Sequence, residues 1–136
     1  MRYVRSVLAA GLATVCSCTM GGALSSEETV LGGSWGGVHA GLTLTPEGGV
    51  IDYDCAHGSL VAPVRRDGTG RFQVAGFHVR EHGGPVREGE IPDSVPATYI
   101  GQVNGDRMTL RVLVGGDTLG PFALQRGVAP QLFRCL

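Results

Sequence analysis

Residues 97–114 read ATYIGQVNGDRMTLRVLV, and this stretch decides the fold class. Apolar and polar residues alternate on both sides of Asn104-Gly105-Asp106, which is the period of a half-buried β-strand. Asn-Gly between two such runs suits a type I′ turn, because both residues tolerate positive φ angles. The stretch therefore predicts an antiparallel hairpin. Its clearest core-facing stripe consists of Met108, Leu110, Val112 and Val114.

The same alternation recurs from Trp35 onward, interrupted by clusters of glycine, proline, aspartate and asparagine. A long loop rich in glycine, proline and charge is predicted over residues 81–95. No segment after the first 17 residues has helical periodicity of useful length. Further strands are predicted over residues 35–44, 51–55, 71–80, 118–126 and, as a last short strand, 131–136.

Short antiparallel strands at this spacing predict an all-β fold, either a small up-and-down β-barrel or a sandwich. The barrel is favoured because closure leaves no unpaired edge and lets the final strand pair near the first. We therefore expect one small β-domain over residues 34–136.

The N-terminus has the features of an export signal. The basic stretch MRYVR precedes an apolar run over residues 6–15, which is too short to span a bilayer as a stable helix. We expect residues 1–17 to form a signal peptide with a helical core. Residues 18–33, rich in glycine, serine and glutamate, are expected to be a flexible tether.

A lipid anchor is predicted at Cys18. The stretch Val15-Cys16-Ser17-Cys18 resembles a lipobox, although Cys16 stands where a small residue such as alanine or serine is usual. The alternative is ordinary cleavage nearby, for example after Ala23. We expect an envelope lipoprotein that contacts the membrane through its anchor only, or else a secreted protein.

The four cysteines predict one disulfide. Both processing routes leave Cys55 and Cys135 as the only pair in an oxidising compartment. A bridge that closes a loop of about 80 residues would stabilise the domain by roughly 4 kcal/mol. Two free thiols or a metal-binding pair are the alternatives.

Charge excludes one class of partner. The chain has 11 basic and 12 acidic side chains, and removal of the signal takes away Arg2 and Arg5. A mildly acidic domain lacks the clustered basic face that nucleic acid requires. There is also no phosphate-cradling loop and no G-x-S-x-G motif, so neither a cofactor nor an enzymatic activity is predicted.

Residues 78–82 spell H-x-x-E-H, the inverted zincin motif. That motif needs a helix, which would place His78 and His82 on one face beside a metal. Here Gly83-Gly84-Pro85 follows directly, so a helix could not continue. We interpret the motif as a strand end that enters a polar loop.

Three histidines remain candidates for facing a ligand, namely His39, His57 and His82. Strand and loop residues distant in sequence can meet at the mouth of a barrel. A metal-binding or enzymatic barrel that uses these side chains is therefore the main alternative to a non-enzymatic domain.

Trp35, the only tryptophan, stands in Gly33-Ser34-Trp35 and opens the first predicted strand. This G-x-W resembles the calycin group, which includes lipocalins, avidins and small periplasmic protease-inhibitor barrels. The resemblance implies that Trp35 packs across the closed end of a barrel against an arginine of the last strand. Arg126 is placed to be that arginine.

The whole domain also resembles a family of small exported bacterial domains without an assigned function. That resemblance implies an architecture and no activity. It rests on Trp35-Gly36-Gly37-x-His39, Asp54-Cys55-Ala56-His57-Gly58, residues 81–85, Leu124-x-Arg126-Gly127 and Cys135.

These observations predict a non-enzymatic exported barrel that binds a small molecule or an envelope protein. An inhibitor of a secreted protease is a further alternative, in which an exposed segment such as residues 19–34 enters an active site.

Overall fold

The structure is a computed structural model, and it describes residues 27–135. The predicted signal peptide and the predicted lipid acceptor Cys18 lie outside these residues. Within residues 27–135, no helix is long and apolar enough to cross a membrane.

The fold is all-β, as the alternation predicted. Eight antiparallel strands form a closed barrel in the order β10-β2-β3-β4-β5-β7-β8-β9, and β1 pairs with β6 in a separate two-stranded sheet. The strands are β1 (Thr29–Val30), β2 (Gly33–Gly36), β3 (Ala40–Thr45), β4 (Gly48–Tyr53), β5 (Ala56–Leu60), β6 (Arg65–Arg66), β7 (Arg71–Arg80), β8 (Asp93–Asn104), β9 (Arg107–Val114) and β10 (Asp117–Arg126).

The predicted hairpin is β8–β9, but its turn differs from the predicted one. Asn104 pairs with Arg107, so the two central turn residues are Gly105 and Asp106. Only Gly105 has a positive φ, of 60°, whereas a type I′ turn requires positive φ at both central residues. The geometry fits a type II′ turn, which needs glycine at the first central position.

One end of the barrel, which we call the closed end, is filled around Trp35. Its side chain is 1% exposed, and Leu31 and Val64 are buried beside it. The guanidinium carbon of Arg126 lies 4.2 Å from the centre of the Trp35 ring. Arg126 also donates hydrogen bonds to the carbonyl of Gly32 and the carboxylate of Asp106, each at 3.2 Å.

The tether expected over residues 18–33 ends earlier than predicted. Thr29 and Val30 pair with β6, and the Leu31 backbone N–H donates to the carbonyl of Val64 at 2.8 Å. Leu31 and Gly33 are therefore part of the domain, because Leu31 covers the closed end and Gly33 begins β2.

The last predicted strand, 131–136, is wrong within the residues described. Only Gln131 forms an isolated bridge, to Val38, and the chain then runs across the surface without pairing. We call residues 128–135 the C-terminal strap. A side chain at Gly36 or Gly41 would overlap the strap at residues 128–130, so these two positions accept only glycine.

Two further residues differ from the predicted strands. Val38 lies within the first predicted strand, residues 35–44, but here the chain turns between β2 and β3, and Val38 is half exposed. Cys55 was predicted to end the strand over residues 51–55, but it lies in the β4–β5 turn with a φ of 60°. The reason is the same in both cases, since strand alternation stops where a turn begins.

Candidate functional site

The end of the barrel opposite Trp35, which we call the mouth, contains a cavity of about 500 Å³. Strands β4, β5, β7 and β10 contribute to its wall, and the C-terminal strap contributes Cys135. The lining residues are His39, Tyr53, Asp54, Cys55, Ala56, His78, Arg80, Glu81, Leu119, Gly120, Phe122 and Cys135.

Strand alternation places His78 inside the barrel. On β7 the buried positions are Phe72, Val74, Gly76 and His78, and the last of these is 6% exposed. Tyr53 reaches the same space from the end of β4, and its ring centre lies 5.6 Å from that of His78. The strand between them, β5, turns only Ala56 and Gly58 inward at this level, which leaves room for both rings.

Tyr99 on β8 lies in the barrel interior beside these residues. Its hydroxyl donates a hydrogen bond of 2.7 Å to the carbonyl of Phe77, so this donor is already used. Gly58 and Gly76 make room for the ring, because a side chain at either position would overlap Tyr99. Tyr99 is thus a fixed part of the interior.

Tyr53 and His78, in contrast, have polar atoms without partners. Within residues 27–135, neither the Tyr53 hydroxyl nor His78 Nδ1 has a hydrogen-bond partner, and both atoms are shielded from water. Each such atom costs about 1–3 kcal/mol when it stays unpaired. The mouth therefore carries an unmet demand for hydrogen bonds.

Both side chains are uncharged at neutral pH. Burial raises the pKa of Tyr53 far above its ordinary value of 10.0, and the nearby Tyr99 adds to this effect. Burial also lowers the pKa of His78 below 6.5. Electrostatic interactions with Arg80 and with the nearby His57 lower the pKa of His78 further, and Asp93 opposes them.

The lowered pKa of His78 predicts a contribution to stability that is lost in acid. Because its pKa is lowered in the folded state, the unfolded chain binds the proton more readily below pH 6.5. The free energy of unfolding contributed by His78 is present above that pH and is lost as the pH falls. Urea unfolding between about pH 7 and about pH 5 should show a smaller acid loss in His78→Gln than in the unmodified protein.

His82 provides the control because its effect has the opposite sign. Its hydrogen bond with Glu90 raises the pKa of His82 above 6.5, so its contribution is present at low pH and is lost as the pH rises. His82→Gln should therefore make the acid loss steeper. Equal slopes in His78→Gln and the unmodified protein would show that His78 does not act in this way.

The three histidines predicted to face a ligand lie at or outside the rim, and each has its own carboxylate partner. His39 bonds to Asp54, and His82 bonds to Glu90 in the loop that follows β7. His57 Nδ1 lies 2.6 Å from a carboxylate oxygen of Glu81. Of the three, only His39 lines the mouth cavity.

The structure does not bring these histidines together. In the part of the chain that the structure describes, no group of three or more His, Cys, Asp or Glu side chains could hold a metal ion. The H-x-x-E-H residues lie on β7 and in the following loop, with His78 inside the barrel and His82 outside it.

Tyr53 and His78 are not among the residues predicted from the sequence to face a ligand. Their positions in the alternation carried a usable signal, since Tyr53 continues from Ile51 and His78 from Phe72 and Val74. A histidine and a tyrosine in phase with core residues predict polar groups inside the barrel.

Cys55 and Cys135 are bonded to each other, with Cα atoms 5.2 Å apart and 80 positions apart in sequence. Two further contacts hold the strap nearby. Asp54 accepts the backbone N–H of Phe133 at 2.7 Å, and the rings of His39 and Phe133 lie 5.2 Å apart. The Phe133 hydrogen bond, followed by that of His39, lowers the pKa of Asp54 below its ordinary value.

Comparison of the chain with protein-family models, with curated proteins and with solved structures finds no match. The resemblances to the calycin group and to small exported bacterial domains therefore stay predictions. The residues that line the mouth cavity are therefore the basis for the candidate function.

Proposed function

We propose that this protein is a non-enzymatic exported barrel that binds a small, mainly apolar molecule in the mouth cavity. The observation that carries the proposal is the pair of shielded, unpartnered polar atoms, Tyr53 Oη and His78 Nδ1, among the described residues that line this cavity. Binding sites commonly combine an apolar wall with a few placed polar groups.

The chemistry of this pair defines the group that it would bind. A tyrosine hydroxyl donates and accepts, and a neutral imidazole has one donor and one acceptor nitrogen. A hydroxyl or a primary amide satisfies both side chains because such groups also donate and accept. Arg80, the one cation among the described residues that line the cavity, is exposed at the end of β7, so a carboxylate placed beside Tyr53 and His78 would be a buried charge, which is costly.

The remaining wall indicates how the ligand is oriented. Leu119 and Phe122 of β10 offer apolar surface, and the rings of Phe122 and Tyr53 lie 5.5 Å apart. The acidic lining residues Asp54 and Glu81 bond to His39 and His57, respectively. The ligand therefore binds with its polar group deepest in the cavity and its apolar body toward the mouth. A fatty acid with its headgroup in water would have the opposite orientation.

Export and a lipid anchor at Cys18 remain part of the proposal. They are supported by the signal-like N-terminus and by a disulfide, which persists in oxidising compartments. Intact mass of the protein isolated from its native envelope would report the cleavage site, the acyl chain and the disulfide together.

The two alternative functions have less support. A metal or enzymatic site would need His39, His57 and His82 to converge, whereas each contacts a different carboxylate. An inhibitory segment over residues 19–34 would lose its last part, since Thr29–Val30 and Gly33–Gly36 are strands of the domain.

Binding of three similar aromatic probes tests the proposal. We expect 1-naphthol to bind about tenfold more tightly than 1-methylnaphthalene, and 1-naphthoate to bind least, because only the first offers an uncharged donor and acceptor. Tyr53→Phe and His78→Leu should each lower the naphthol affinity by about five- to tenfold with little change for methylnaphthalene. Fluorescence titration measures all three affinities.

The series also has a control variant at His39, and two outcomes would contradict the proposal. Gln in place of His39, a rim residue that already bonds to Asp54, should leave the preference for naphthol intact. Equal affinities for naphthol and methylnaphthalene would overturn the role of Tyr53 and His78. Failure of all three probes, together with a wider panel of uncharged hydroxyl and amide compounds, would overturn the proposed binding function.

A further inference from the structure

A second cavity, of about 820 Å³, lies on the outer wall of the barrel near the closed end. It is a groove between the barrel strands β7, β8 and β9 on one side and the segment around β6 on the other. Three arginines line it, namely Arg65, Arg71 and Arg111. None of its residues belongs to the mouth cavity, so this groove is a separate feature.

Strand register fixes the floor of the groove as a small polar patch. Arg71 pairs with Gln102, which pairs with Thr109. In the next row Gln73 pairs with Ile100, which pairs with Arg111. Paired residues share one face of a sheet, and these rows face outward because the alternate residues Phe72, Gly101 and Leu110 are buried. The two arginines thus lie at diagonal corners of the patch.

The arginines of the groove lack ion-pair partners. Among residues 27–135, no carboxylate oxygen lies within 4.0 Å of a guanidinium nitrogen of Arg65, Arg71 or Arg111. Glu28 and Asp67 are the acidic residues that line the groove. The Asp67 carboxylate accepts from the Thr69 hydroxyl and from the backbone N–H groups of Thr69 and Arg71. All three hydrogen bonds are to Oδ1, so this oxygen is engaged within the local turn.

A fourth arginine supplies independent evidence. The Nε atom of Arg66 is shielded from water and has no acceptor within the described part of the chain. Arg66 lines a neighbouring cavity of about 310 Å³ that shares Gln102 with the groove. A shielded N–H without any acceptor is unfavourable, and an anion is an acceptor that would also offset the charge of the guanidinium.

We infer that this groove binds a phosphate-bearing ligand. Arginine guanidinium groups match phosphate oxygens with two parallel hydrogen bonds, and Gln73, Gln102 and Thr109 add uncharged polar contacts. The groove is also close to the N-terminal end of the described residues, since Glu28 lines it. Glu28 follows Cys18 by ten positions, so an acyl chain on Cys18 would hold the groove within about 35 Å of a phospholipid surface.

The test compares two double variants of equal charge change in the full chain. Cys18→Ser is present in every sample, so no acyl chain contributes to binding. R71Q/R111Q changes the groove, and R87Q/R134Q changes two arginines that line cavities on the mouth side. Vesicles of phosphatidylglycerol and phosphatidylcholine are compared with vesicles of phosphatidylcholine alone, and vesicle flotation measures binding.

We expect R71Q/R111Q to weaken binding to the anionic vesicles by at least about tenfold, and R87Q/R134Q to change it less than about twofold. Glu28→Gln should strengthen binding because it removes a negative charge from the groove. Equal losses in the two double variants, or no binding at low salt, would exclude lipid headgroups as the source of the phosphate.

Glycerol 3-phosphate distinguishes the two sources of phosphate. Isothermal titration with it, in the same variants, should show binding that R71Q/R111Q removes if a free phosphate compound is the ligand. Binding to vesicles without binding to glycerol 3-phosphate assigns the groove to lipid headgroups. Absence of a groove-dependent loss in both measurements would overturn the inference.

Discussion

Replacing Trp35 with alanine should lower the free energy of unfolding by about 3–5 kcal/mol, the range for loss of a large buried aromatic side chain. Trp35 is almost fully buried at the closed end, packs with Leu31 and Val64, and donates from its indole nitrogen to the carbonyl of Gly32 at 3.2 Å. The cavity left behind could not fill, because the surrounding strands belong to a closed barrel. Urea unfolding monitored by circular dichroism measures the change.

Two further variants separate the volume of Trp35 from its contact with Arg126. Trp35→Phe keeps an aromatic ring and should lose less than Trp35→Ala. Arg126→Gln removes the cation above the ring and should cost about 0.5–2 kcal/mol. A loss below about 1 kcal/mol for Trp35→Ala would show that the closed end does not depend on this side chain.

Removing the Cys55–Cys135 disulfide should lower the free energy of unfolding by about 4 kcal/mol. The bond closes a loop of 80 positions, and a long loop restricts the unfolded chain strongly. A loss of this size is a large share of the stability of a small domain. The double variant Cys55→Ala/Cys135→Ala, studied by urea unfolding, measures it.

The reduced form of the unmodified protein is the matched control, because it keeps both sulfur atoms. It should lose as much stability as the double variant. The chain around Phe133 should also become more susceptible to proteolysis. Without the disulfide, the strap would be held at the mouth only by weak contacts such as the hydrogen bond from Phe133 to Asp54. Oxidised and reduced forms of equal stability would contradict the assigned role of the bond.

Much of the fold could be predicted because strand alternation is a local property. Residues 71–80 were predicted as a strand with the bounds that β7 has, and Met108, Leu110 and Val112 are buried as expected. The turn at Gly105 and the bend at Val38 were predicted less well. Their backbone depends on which residues pair across the strands, and no single segment contains that information.

The residues that line the mouth cavity could be predicted only in part, for a related reason. His39, His57 and His82 are conspicuous in the sequence, but each is held by a carboxylate 8 to 24 positions away. Tyr53 and His78 face the same cavity only because β5 between them carries small inward residues. Such neighbours are set by sheet order and register rather than by spacing along the chain.

Side-chain alternation and the number of cysteines were enough to assign the strand class of the chain, the inward stripe of most strands and the single pair of cysteines within the domain. These features need no knowledge of neighbouring strands. The three-dimensional fold was needed to show that a C-terminal strap crosses Gly36 and Gly41, that Tyr53 meets His78 at the mouth, and that Arg71 and Arg111 share a groove. Those contacts require closure of the barrel, because closure brings together side chains that are distant in sequence.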